Sequence, residues 1–333
     1  MEKKMIFIEC DSNDPRFNLA LEQYVFDEMS RDYNYFWLWQ NHNTIVVGKH
    51  QNTSEEIDHA YVKEHDITVV RRLSGGGAVY HDMGNVNFTF ITDTGDLEKL
   101  NLQAFCRPVV RTLETIGIKA DLSGRNDITI DGKKFSGNSQ YIRKGRIMHH
   151  GTLMFDSDLS VVGEALKVSA DKYESKGLKS VRSRVTNIKP YVSGEMSIHE
   201  FQEILKKKMI QGESVEMYQL TQADLTRIRE IQEERYNTWE WNFGASPEYK
   251  VRKKRRIEGC GSIEILMNVE KGCIKDYCSF GDYFGNGDTE ELKALLNGCK
   301  VEEKTLKERL EGFDLESCYS HLSLEEFVQL LVG

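Results

Sequence analysis

Residues 71–85 read RRLSGGGAVYHDMGN, and this segment constrains the fold more than any other part of the chain. It lies between two β-rich runs, DITVVRR at 66–72 and NVNFTFIT at 85–92. In the second run Val86, Phe88 and Phe90 alternate with other residues, as in a strand with one buried face. Three consecutive glycines allow positive φ angles and let amide N–H groups approach an anion without a Cβ in the way. The segment therefore predicts a strand, a turn that can bind an anion, and a second strand.

The glycine-rich turn matches neither of the common nucleotide-binding motifs. It lacks G-x-x-x-x-G-K-[ST], and SGGGAVYH is not a G-x-G-x-x-G that opens a helix. Consecutive glycines between strands are often only a tight turn or a bulge. Here Arg71 and Arg72 precede the glycines and His81-Asp82 follows them, and guanidinium groups suit carboxylates and phosphates. We therefore favour a binding function for this turn over a purely structural one.

The surrounding sequence predicts an α+β fold. RFNLALEQYVFDEM at 16–29 has apolar residues at helical spacing and follows Asp14-Pro15, a favourable helix start. Two strand patterns, YFWLWQ at 35–40 and TIVVG at 44–48, are joined by a polar turn, and a helical pattern at 100–117 ends at a glycine. Antiparallel strand patterns with intervening helices indicate the α+β class rather than a βαβ repeat.

ITIDGKKFSG at 128–137 predicts a β-hairpin whose two-residue turn is Asp131-Gly132. The predicted pairs are Ile130 with Lys133, Thr129 with Lys134, Ile128 with Phe135, and Asp127 with Ser136. Since side chains alternate along a strand, Asp127 and Lys134 share a polar face with Thr129 and Ser136, whereas Ile128 and Phe135 face a core. The hairpin therefore places an acid and a lysine side by side in a candidate site.

Two further segments carry histidines and basic residues. MHHGTLMF at 148–155 contains His149 and His150, but no ligand set at zinc spacing accompanies them, so we expect hydrogen bonding or packing. ESKGLKSVRSRVTNI at 174–188 is small and basic, which suits a loop that closes over phosphates. By itself this second segment is better interpreted as an ordinary solvated basic loop.

A domain boundary is predicted near residue 246. NFGASPEYK at 242–250 is rich in turn residues, and KVRKKRR at 250–256 is either a charged surface that steers an acidic partner or, the favoured interpretation, a solvated linker. GSIEILMNVEKGCIKDYCSF at 261–280 predicts a new hairpin, and helical patterns follow at 289–297, 300–311 and 323–332. We therefore predict a catalytic domain at 1–246 and a second domain at 247–333.

Composition excludes several classes of protein. A net charge of −9 disfavours a nucleic-acid binder, because phosphate backbones require a basic surface. Seven cysteines without a Cys-x-x-Cys pair indicate reduced thiols, as in a cytoplasmic protein, rather than a disulfide framework. The chain has no apolar stretch of about eighteen residues, so we expect no membrane span. The composition is that of a cytoplasmic enzyme or binding protein.

Four of these segments occur in an order that resembles lipoate–protein ligases of the bacterial A type. They are the arginines with SGGGAVYHD, GRND with a lysine before SG, HHGTL, and KGLKSVRSRVTN. FNLALEQ at 17–23 and WEWNFG at 239–244 are similar to that family too, and residues 247–333 resemble the accessory domain of its long form in length and position. The resemblance implies an α+β catalytic domain related to biotin protein ligases and class II aminoacyl-tRNA synthetases, with a smaller α+β C-terminal domain.

The resemblance also implies roles for individual residues. ATP and then the adenylate would be bound by Arg72, Gly75, Gly76, Gly77, Ala78, Val79, Tyr80, Asn126 and Lys134, and by Lys176, Ser180 and Arg182 in the loop at 174–185. Lipoate would be bound by Trp39, Ser74, His81, Lys134 and His150. Lys134 and Asp127 would be catalytic, and Asp127 would also hold Mg²⁺.

The implied function is the ATP-dependent activation of lipoate to lipoyl-AMP and the transfer of the lipoyl group to a lysine of an apo-carrier protein. The carrier would be a dehydrogenase E2 lipoyl domain or the glycine-cleavage H protein, and the enzyme is expected to be a monomer. One alternative is a transferase that moves octanoyl or lipoyl groups between carriers through a cysteine. Another is a non-catalytic paralogue that binds lipoyl-AMP or a carrier for regulation.

Overall fold

The computed structural model describes residues 3–94, 102–123, 126–166, 184–209, 215–243, 251–270 and 272–332. The predicted α+β class is confirmed, since one large mixed sheet and two three-stranded sheets are surrounded by helices. The predicted loop at 174–185 falls almost entirely outside the described residues, and so does the predicted boundary at 246/247.

The large sheet has eight strands in the order β11-β1-β2-β6-β10-β9-β8-β7. Its strands are β1 (Met5–Glu9), β2 (Asn34–Trp39), β6 (Asn85–Asp93), β7 (Asp121–Ser123), β8 (Asp127–Ile130), β9 (Lys133–Arg143), β10 (Arg146–Met154) and β11 (Val215–Gln219). Strand β1 is parallel to both β2 and β11, whereas the pairs from β2 to β7 are antiparallel. Sequence reading missed β1, because a short apolar run at a chain end does not reveal its partners.

A small sheet carries the glycine-rich segment. It consists of β3 (Thr44–Val47), β4 (Thr68–Arg71) and β5 (Val79–His81) in the order β4-β3-β5. The strand patterns at 35–40 and 44–48 are confirmed, but they belong to different sheets. The glycines lie between β4 and β5, and the chain then enters β6 of the large sheet, so this segment joins the two sheets.

Helices cover both faces of the large sheet and also pack against the small sheet. They are α1 (Pro15–Asp27), α2 (Thr53–Glu56), α3 (His59–Glu64), α4 (Leu102–Thr115), α5 (Leu159–Ala165), α6 (Ile198–Met209), α7 (Gln222–Ile231) and α8 (Trp239–Asn242). Helix α1 begins as predicted, with Pro15 in its first turn and the Asp14 side chain accepting from the Arg16 N–H. It packs against the sheet face of Ile91, whereas α4 packs against the face of Phe88. The region between α1, the small sheet and the large sheet holds the site described below.

The predicted hairpin is present, but its register is right only next to the turn. Asp131 and Gly132 have φ angles of +50° and +74°, as a two-residue hairpin turn requires. Thr129 pairs with Lys134 as predicted, but a β-bulge follows, so Ile128 pairs with Ser136 and Asp127 with Gly137. The predicted pairs Ile128–Phe135 and Asp127–Ser136 are therefore wrong. The predicted apolar face is confirmed, because Ile128 and Phe135 are fully buried, but Ser136, predicted on the polar face, pairs with Ile128 and is fully buried as well.

The C-terminal region has a hydrophobic core of its own. It contains β12 (Val251–Ile257), β13 (Gly261–Glu270), β14 (Cys273–Gly281), α9 (Thr289–Leu296), α10 (Glu303–Arg309), α11 (Leu315–Cys318) and α12 (Leu324–Val332). The predicted hairpin and all three helical patterns are confirmed. The interpretation of KVRKKRR as a linker is wrong, because 251–257 forms an edge strand paired with β13 over its whole length. The basic side chains of an edge strand can stay in solvent. For this reason the segment lacks the alternation of apolar and polar residues that would have predicted a strand.

The C-terminal region docks directly on the glycine-rich segment. The Gly76 N–H donates to the Tyr283 carbonyl at 3.3 Å, and the Gly281 N–H donates to the His50 carbonyl at 2.7 Å. The His50 ring stacks on Tyr283 with centroids 4.6 Å apart, and its Nε2 donates to the Gly285 carbonyl at 3.2 Å. Burial lowers the pKa of His50 to about 3, so the ring is neutral in the docked state.

Replacing His50 with phenylalanine is expected to flatten the acid dependence of stability. A histidine with a folded pKa of about 3 and a reference pKa of 6.5 stabilises the fold above pH 6.5, and this contribution is lost as the pH falls. Between pH 7 and pH 5 the wild type should lose about 2 kcal/mol that the variant does not lose. Urea unfolding at several pH values measures this, and parallel profiles for the two proteins would contradict it.

Candidate active site

A narrow pocket of about 110 Å³ lies between the glycine-rich segment and the large sheet. Its floor is a row of residues on neighbouring strands: Trp39 on β2 is in register with Asn87 on β6, which is in register with Thr152 on β10. The row continues to β9, where the Gly137 N–H donates to the Thr152 hydroxyl at 3.2 Å. The pocket therefore runs across the strands, from the β8–β9 hairpin to Trp39.

Lys134 and Asp127 mark the hairpin end of the pocket. The Lys134 ammonium lies 2.7 Å from Asp127 Oδ1, and both side chains are about one-third exposed, at 35% and 36%. The separation makes this an ion pair, although Oδ1 meets no hydrogen-bond geometry among the described residues. The Lys134 backbone bonds to Arg184 and Thr186, at the end of the predicted basic loop. A partly exposed ammonium group, paired with a carboxylate, therefore lies at the open end of the pocket.

Arg72 shapes the glycine-rich turn from beneath. Its guanidinium donates to the carbonyls of Val46, Gly75 and Gly77 at 3.1, 2.7 and 2.8 Å, and to the Ser74 hydroxyl at 3.2 Å. Burial lowers the pKa of Arg72 to about 10, which leaves it charged at neutral pH. The pocket therefore contains a buried positive charge that is solvated by backbone oxygens, and the nearby Glu22 carboxylate favours its charged form.

Arg71, the other predicted anion ligand, turns away from the pocket. It donates to three carbonyls in the segment 48–51, to the Thr53 hydroxyl, and to the carbonyls of Trp241 and Asn242. These bonds fix α8 against the small sheet. Arg71 is therefore a structural clamp rather than a ligand.

A buried relay of polar side chains lies under the middle of the pocket. His150 Nδ1 is 2.9 Å from Glu22 Oε1, and its Nε2 is 2.6 Å from the Ser74 hydroxyl. Glu22 also accepts from Thr89, which accepts from the Trp39 indole N–H. The order of groups resembles a serine–histidine–acid triad. Ser74, however, is 1% exposed and does not line the pocket, so the relay orients side chains and presents no nucleophile.

Most of the predicted site residues line this one pocket. They are Trp39, Arg72, Gly76, Gly77, Ala78, Val79, His81, Asn126, Lys134 and His150. Gly75, Ser74 and Asp127 do not line the pocket themselves. Gly75 and Ser74 contact the lining residues Arg72 and His150, and Asp127 contacts Lys134. The Tyr80 side chain points away from the pocket and donates to Asn43, because alternation along β5 turns only Val79 and His81 inward. Lys176, Ser180 and Arg182 lie outside the described residues.

Sequence reasoning missed several lining residues and the acid of the relay. Leu19 and Val46 supply apolar surface, and Asn87 and Thr152 supply polar groups. Alternation offered a clue, since Asn87 must face away from the core side of Val86 and Phe88. Glu22 lies within the noted FNLALEQ motif, but only the fold shows that it faces His150.

Other kinds of site are not found among the described residues. No group of three His, Cys, Asp or Glu side chains in those ranges is placed to hold a metal ion. No helix in the part of the chain that the structure covers is long and apolar enough to cross a membrane. The pKa of the buried Cys106 thiol is raised to about 12 by desolvation, and desolvation also raises the pKa of Cys10. Neither thiol lines the pocket, so neither is an activated nucleophile there.

Comparison with known proteins gives the family. Residues 14–210 match the lipoyl protein ligase A/B catalytic domain, and residues 246–331 match the bacterial lipoate protein ligase C-terminus. The chain belongs to the lipoyl protein ligase A/B family. It is 46% identical to a lipoate-protein ligase of Bacillus subtilis (strain 168) over 98% of this chain and 100% of that one. It is 42% identical to lipoate-protein ligase 1 of Staphylococcus aureus (strain Mu50) over 96% and 97%. The protein is therefore an enzyme, a lipoate–protein ligase.

Solved structures agree with this assignment. A bi-partite lipoate-protein ligase of Thermoplasma acidophilum, described with its E2 lipoyl domain, is 28% identical and covers 75% of this chain and 100% of that one, with a TM-score of 0.62. A lipoate-protein ligase A bound with ATP is 26% identical and covers 73% and 99%, also with a TM-score of 0.62. The resemblance inferred from the four motifs is confirmed, together with its fold.

Replacing Gly48 with alanine is expected to displace the glycine-rich turn. A Cβ at Gly48 would overlap the Gly76 carbonyl oxygen and crowd the Arg72 guanidinium, so the turn would have to move. We expect a loss of about 2–3 kcal/mol in the free energy of unfolding, as for other overpacked sites. Gly163→Ala is the matched control, because its Cβ meets nothing within 4 Å and lies in α5. Equal urea midpoints for the two variants would contradict the expectation.

Proposed function

We propose that this ligase activates lipoate with ATP in the pocket that runs from Lys134 to Trp39, and then transfers the lipoyl group to a carrier lysine. The observation that carries the proposal is the geometry of this pocket, with a cation and a glycine-rich turn near one end and an apolar end at the other. ATP and lipoic acid are bound by similar ligases, one solved with ATP and one from T. acidophilum with lipoic acid.

The proposed nucleotide site is the glycine-rich turn with Lys134. Gly77 lines the pocket and is uncrowded, since among the described residues a Cβ there would meet only Asp282, at 3.9 Å, so its backbone can approach a phosphate closely. Arg72 holds the carbonyls of the turn inward. The Gly76 N–H is bonded to Tyr283, so the backbone of Gly77 to Val79 is the part of the turn proposed to face the nucleotide, and Asn126 and Lys134 line the same pocket.

The proposed first step joins the two substrates. A lipoate carboxylate oxygen attacks the α-phosphorus of ATP, the bond to the β-phosphate breaks, and pyrophosphate leaves. Negative charge builds up on the α-phosphate oxygens, and a fixed cation such as Lys134 stabilises it in a partly buried site. The pairing with Asp127 keeps the ammonium in place before the substrates arrive. Lys134 is therefore the proposed catalytic residue, and Asp127 its positioning partner.

In the proposed second step the carrier lysine attacks the acyl carbon as a free amine, and AMP leaves. At a reference pKa near 10.4, only about one lysine in two thousand is neutral at pH 7, so the site must take up a proton. Asp127 remains the proposed acceptor, because it is the carboxylate beside Lys134. To act as a base it has to leave the ion pair, which the transfer of Lys134 to the adenylate phosphate would permit.

Magnesium fits the site only as an ion that binds together with the phosphates of ATP. Mg²⁺ commonly binds one or two carboxylates together with substrate phosphates. Here the nearby carboxylate, Asp127, is already paired with Lys134, and no ligand cluster exists among the described residues. Asp127 is therefore a poor metal ligand while it remains paired with Lys134.

The proposed lipoyl site is the apolar end of the pocket. Leu19, Trp39, Val46 and Val79 line it, with His81 and His150. Burying each methylene stabilises a ligand by roughly 0.8 kcal/mol, so about four of them contribute some 3 kcal/mol. This term does not distinguish lipoate from octanoate, since both bury a similar chain.

The proposed carrier is an E2 lipoyl domain or a glycine-cleavage H protein, and the proposed setting is the cytoplasm, with the ligase as a monomer. The T. acidophilum ligase described with its E2 lipoyl domain supports the first carrier. The transferase alternative is disfavoured, since it needs a reactive cysteine and neither Cys10 nor Cys106 lines the pocket. The regulatory alternative would leave Lys134 dispensable.

Replacing Lys134 with alanine is expected to lower lipoate-dependent ATP–pyrophosphate exchange at least 100-fold, because the developing charge loses its cation. Lys133→Ala is the matched control, since Lys133 is the exposed neighbour on the other side of the strand and should keep its rate within two-fold. A full rate of exchange in Lys134→Ala would refute the catalytic assignment.

The complete reaction is tested with the purified wild type, ATP, lipoate and each apo-carrier in turn. A mass increase on one carrier lysine, dependent on ATP, is the expected result. Transfer from a lipoylated carrier without ATP would instead support the transferase alternative.

A further inference from the structure

Two buried polar atoms at the apolar end of the pocket have no hydrogen-bond partner among the described residues. They are Nε2 of His81 and Nδ2 of Asn87, whose side chains are 3% and 1% exposed. Both residues line the pocket. A buried donor without an acceptor is costly and uncommon in native structures, so a bound ligand is a natural source of the missing acceptor.

The hydrogen-bond network makes His81 Nε2 a donor. Asn18 Nδ2 donates to Asn41 Oδ1 at 2.9 Å, which fixes the orientation of the Asn41 amide. Asn41 Nδ2 therefore faces His81 Nδ1 at 3.1 Å, and Nδ1 must accept. Burial lowers the pKa of His81 to about 3, so the ring is neutral and its single proton is on Nε2.

His81 and Asn87 lie where the far end of an eight-carbon acid would lie. The His81 ring packs edge-on against Trp39, with centroids 6.2 Å apart, and Trp39 is in register with Asn87. Trp39 is three strands from Gly137, beside which the Lys134 ammonium lies. At about 4.8 Å per strand this is about 14 Å. An extended eight-carbon chain spans about 10 Å, and a hydrogen bond from its carboxylate to the ammonium adds about 3 Å.

We propose that His81, assisted by Asn87, donates a hydrogen bond to a sulfur atom of the dithiolane ring, and thereby selects lipoate over straight-chain acids of the same length. The inference rests on the proposed function, because it places the carboxylate at Lys134. A ring sulfur is a weak acceptor, but octanoate ends in a methyl group and offers no acceptor at all. Octanoate would therefore leave the His81 donor unpaired in a buried site.

The wild-type enzyme provides the first test, through three acids in the ATP–pyrophosphate exchange assay. Lipoate is compared with octanoate and with 5-cyclopentylpentanoate, which has the shape of lipoate but carbon in place of both sulfurs. We expect kcat/KM for lipoate to exceed that of the cyclopentyl acid about ten-fold, the size of effect that one modest hydrogen bond produces. Equal values for these two acids would overturn the proposal.

His81→Phe provides the second test, since it keeps a ring of similar shape and removes the donor. The ratio of lipoate to cyclopentyl acid should fall from about ten to near one, and a variant that only loosens the pocket would lower both rates by a common factor. His42→Phe is the matched control, because His42 is exposed and does not line the pocket. It should keep the wild-type ratio.

The two proposals fail in different ways. If the wild type showed no lipoate-dependent exchange, the proposed function itself would be wrong. If exchange occurred but the ratio stayed unchanged in His81→Phe, the function would stand and the role of His81 would be wrong. Thermal unfolding of the variant shows whether it is folded, and the wild-type comparison of the two ring-bearing acids decides the matter even if it is not.

Discussion

The buried guanidinium of Arg72 is the interaction on which the rest of this site depends. It donates to carbonyls on both sides of the glycine-rich turn and to a carbonyl of β3, so it holds the turn at a fixed height above the large sheet. A cation buried without these oxygens would cost several kcal/mol. Other conformations of the turn would therefore expose the guanidinium to solvent or leave it buried without hydrogen-bond acceptors. The docked Tyr283 carbonyl, bound to the Gly76 N–H, fixes the same turn from the other side.

Local chemistry explains which parts of the fold the sequence could predict. The Asp131-Gly132 turn, the Asp14-Pro15 helix start and the alternation in β6 each depend on residues a few positions apart, and all three are confirmed. The bulge at Phe135 could not be predicted, since it follows from how β9 pairs with β8 and β10 at once. The same holds for β1, whose two parallel partners lie about 30 and 210 residues away in the chain.

In the site, too, some residues could be predicted from local sequence and others only from the fold. The motifs identified Lys134, the glycines and Trp39, and the pocket brings them together. Alternation along β5 predicts that the Tyr80 side chain lies outside the pocket, where it donates to Asn43. No local pattern could show that Arg71 clamps α8, 170 residues away, whereas Arg72 beneath it shapes the turn. The two arginines are adjacent in the sequence, and their side chains point to opposite faces of the small sheet. The placement of strand β4 therefore determines that Arg72 binds the turn and Arg71 binds α8.

The two ends of the pocket differ in how far their polar groups are exposed to solvent. At the open end the pair Lys134–Asp127 is about one-third exposed, so it can exchange partners with a phosphate at small cost. At the buried end lie His81, which burial keeps neutral, and His150, whose Nδ1 is 2.9 Å from Glu22 Oε1. A carboxylate placed at that end would lie near the Glu22 carboxylate that His150 contacts, and the Arg72 guanidinium there is already bound to backbone oxygens. Because burying a second carboxylate there is costly, this arrangement supports the proposed orientation, in which the carboxylate of the acid lies toward Lys134.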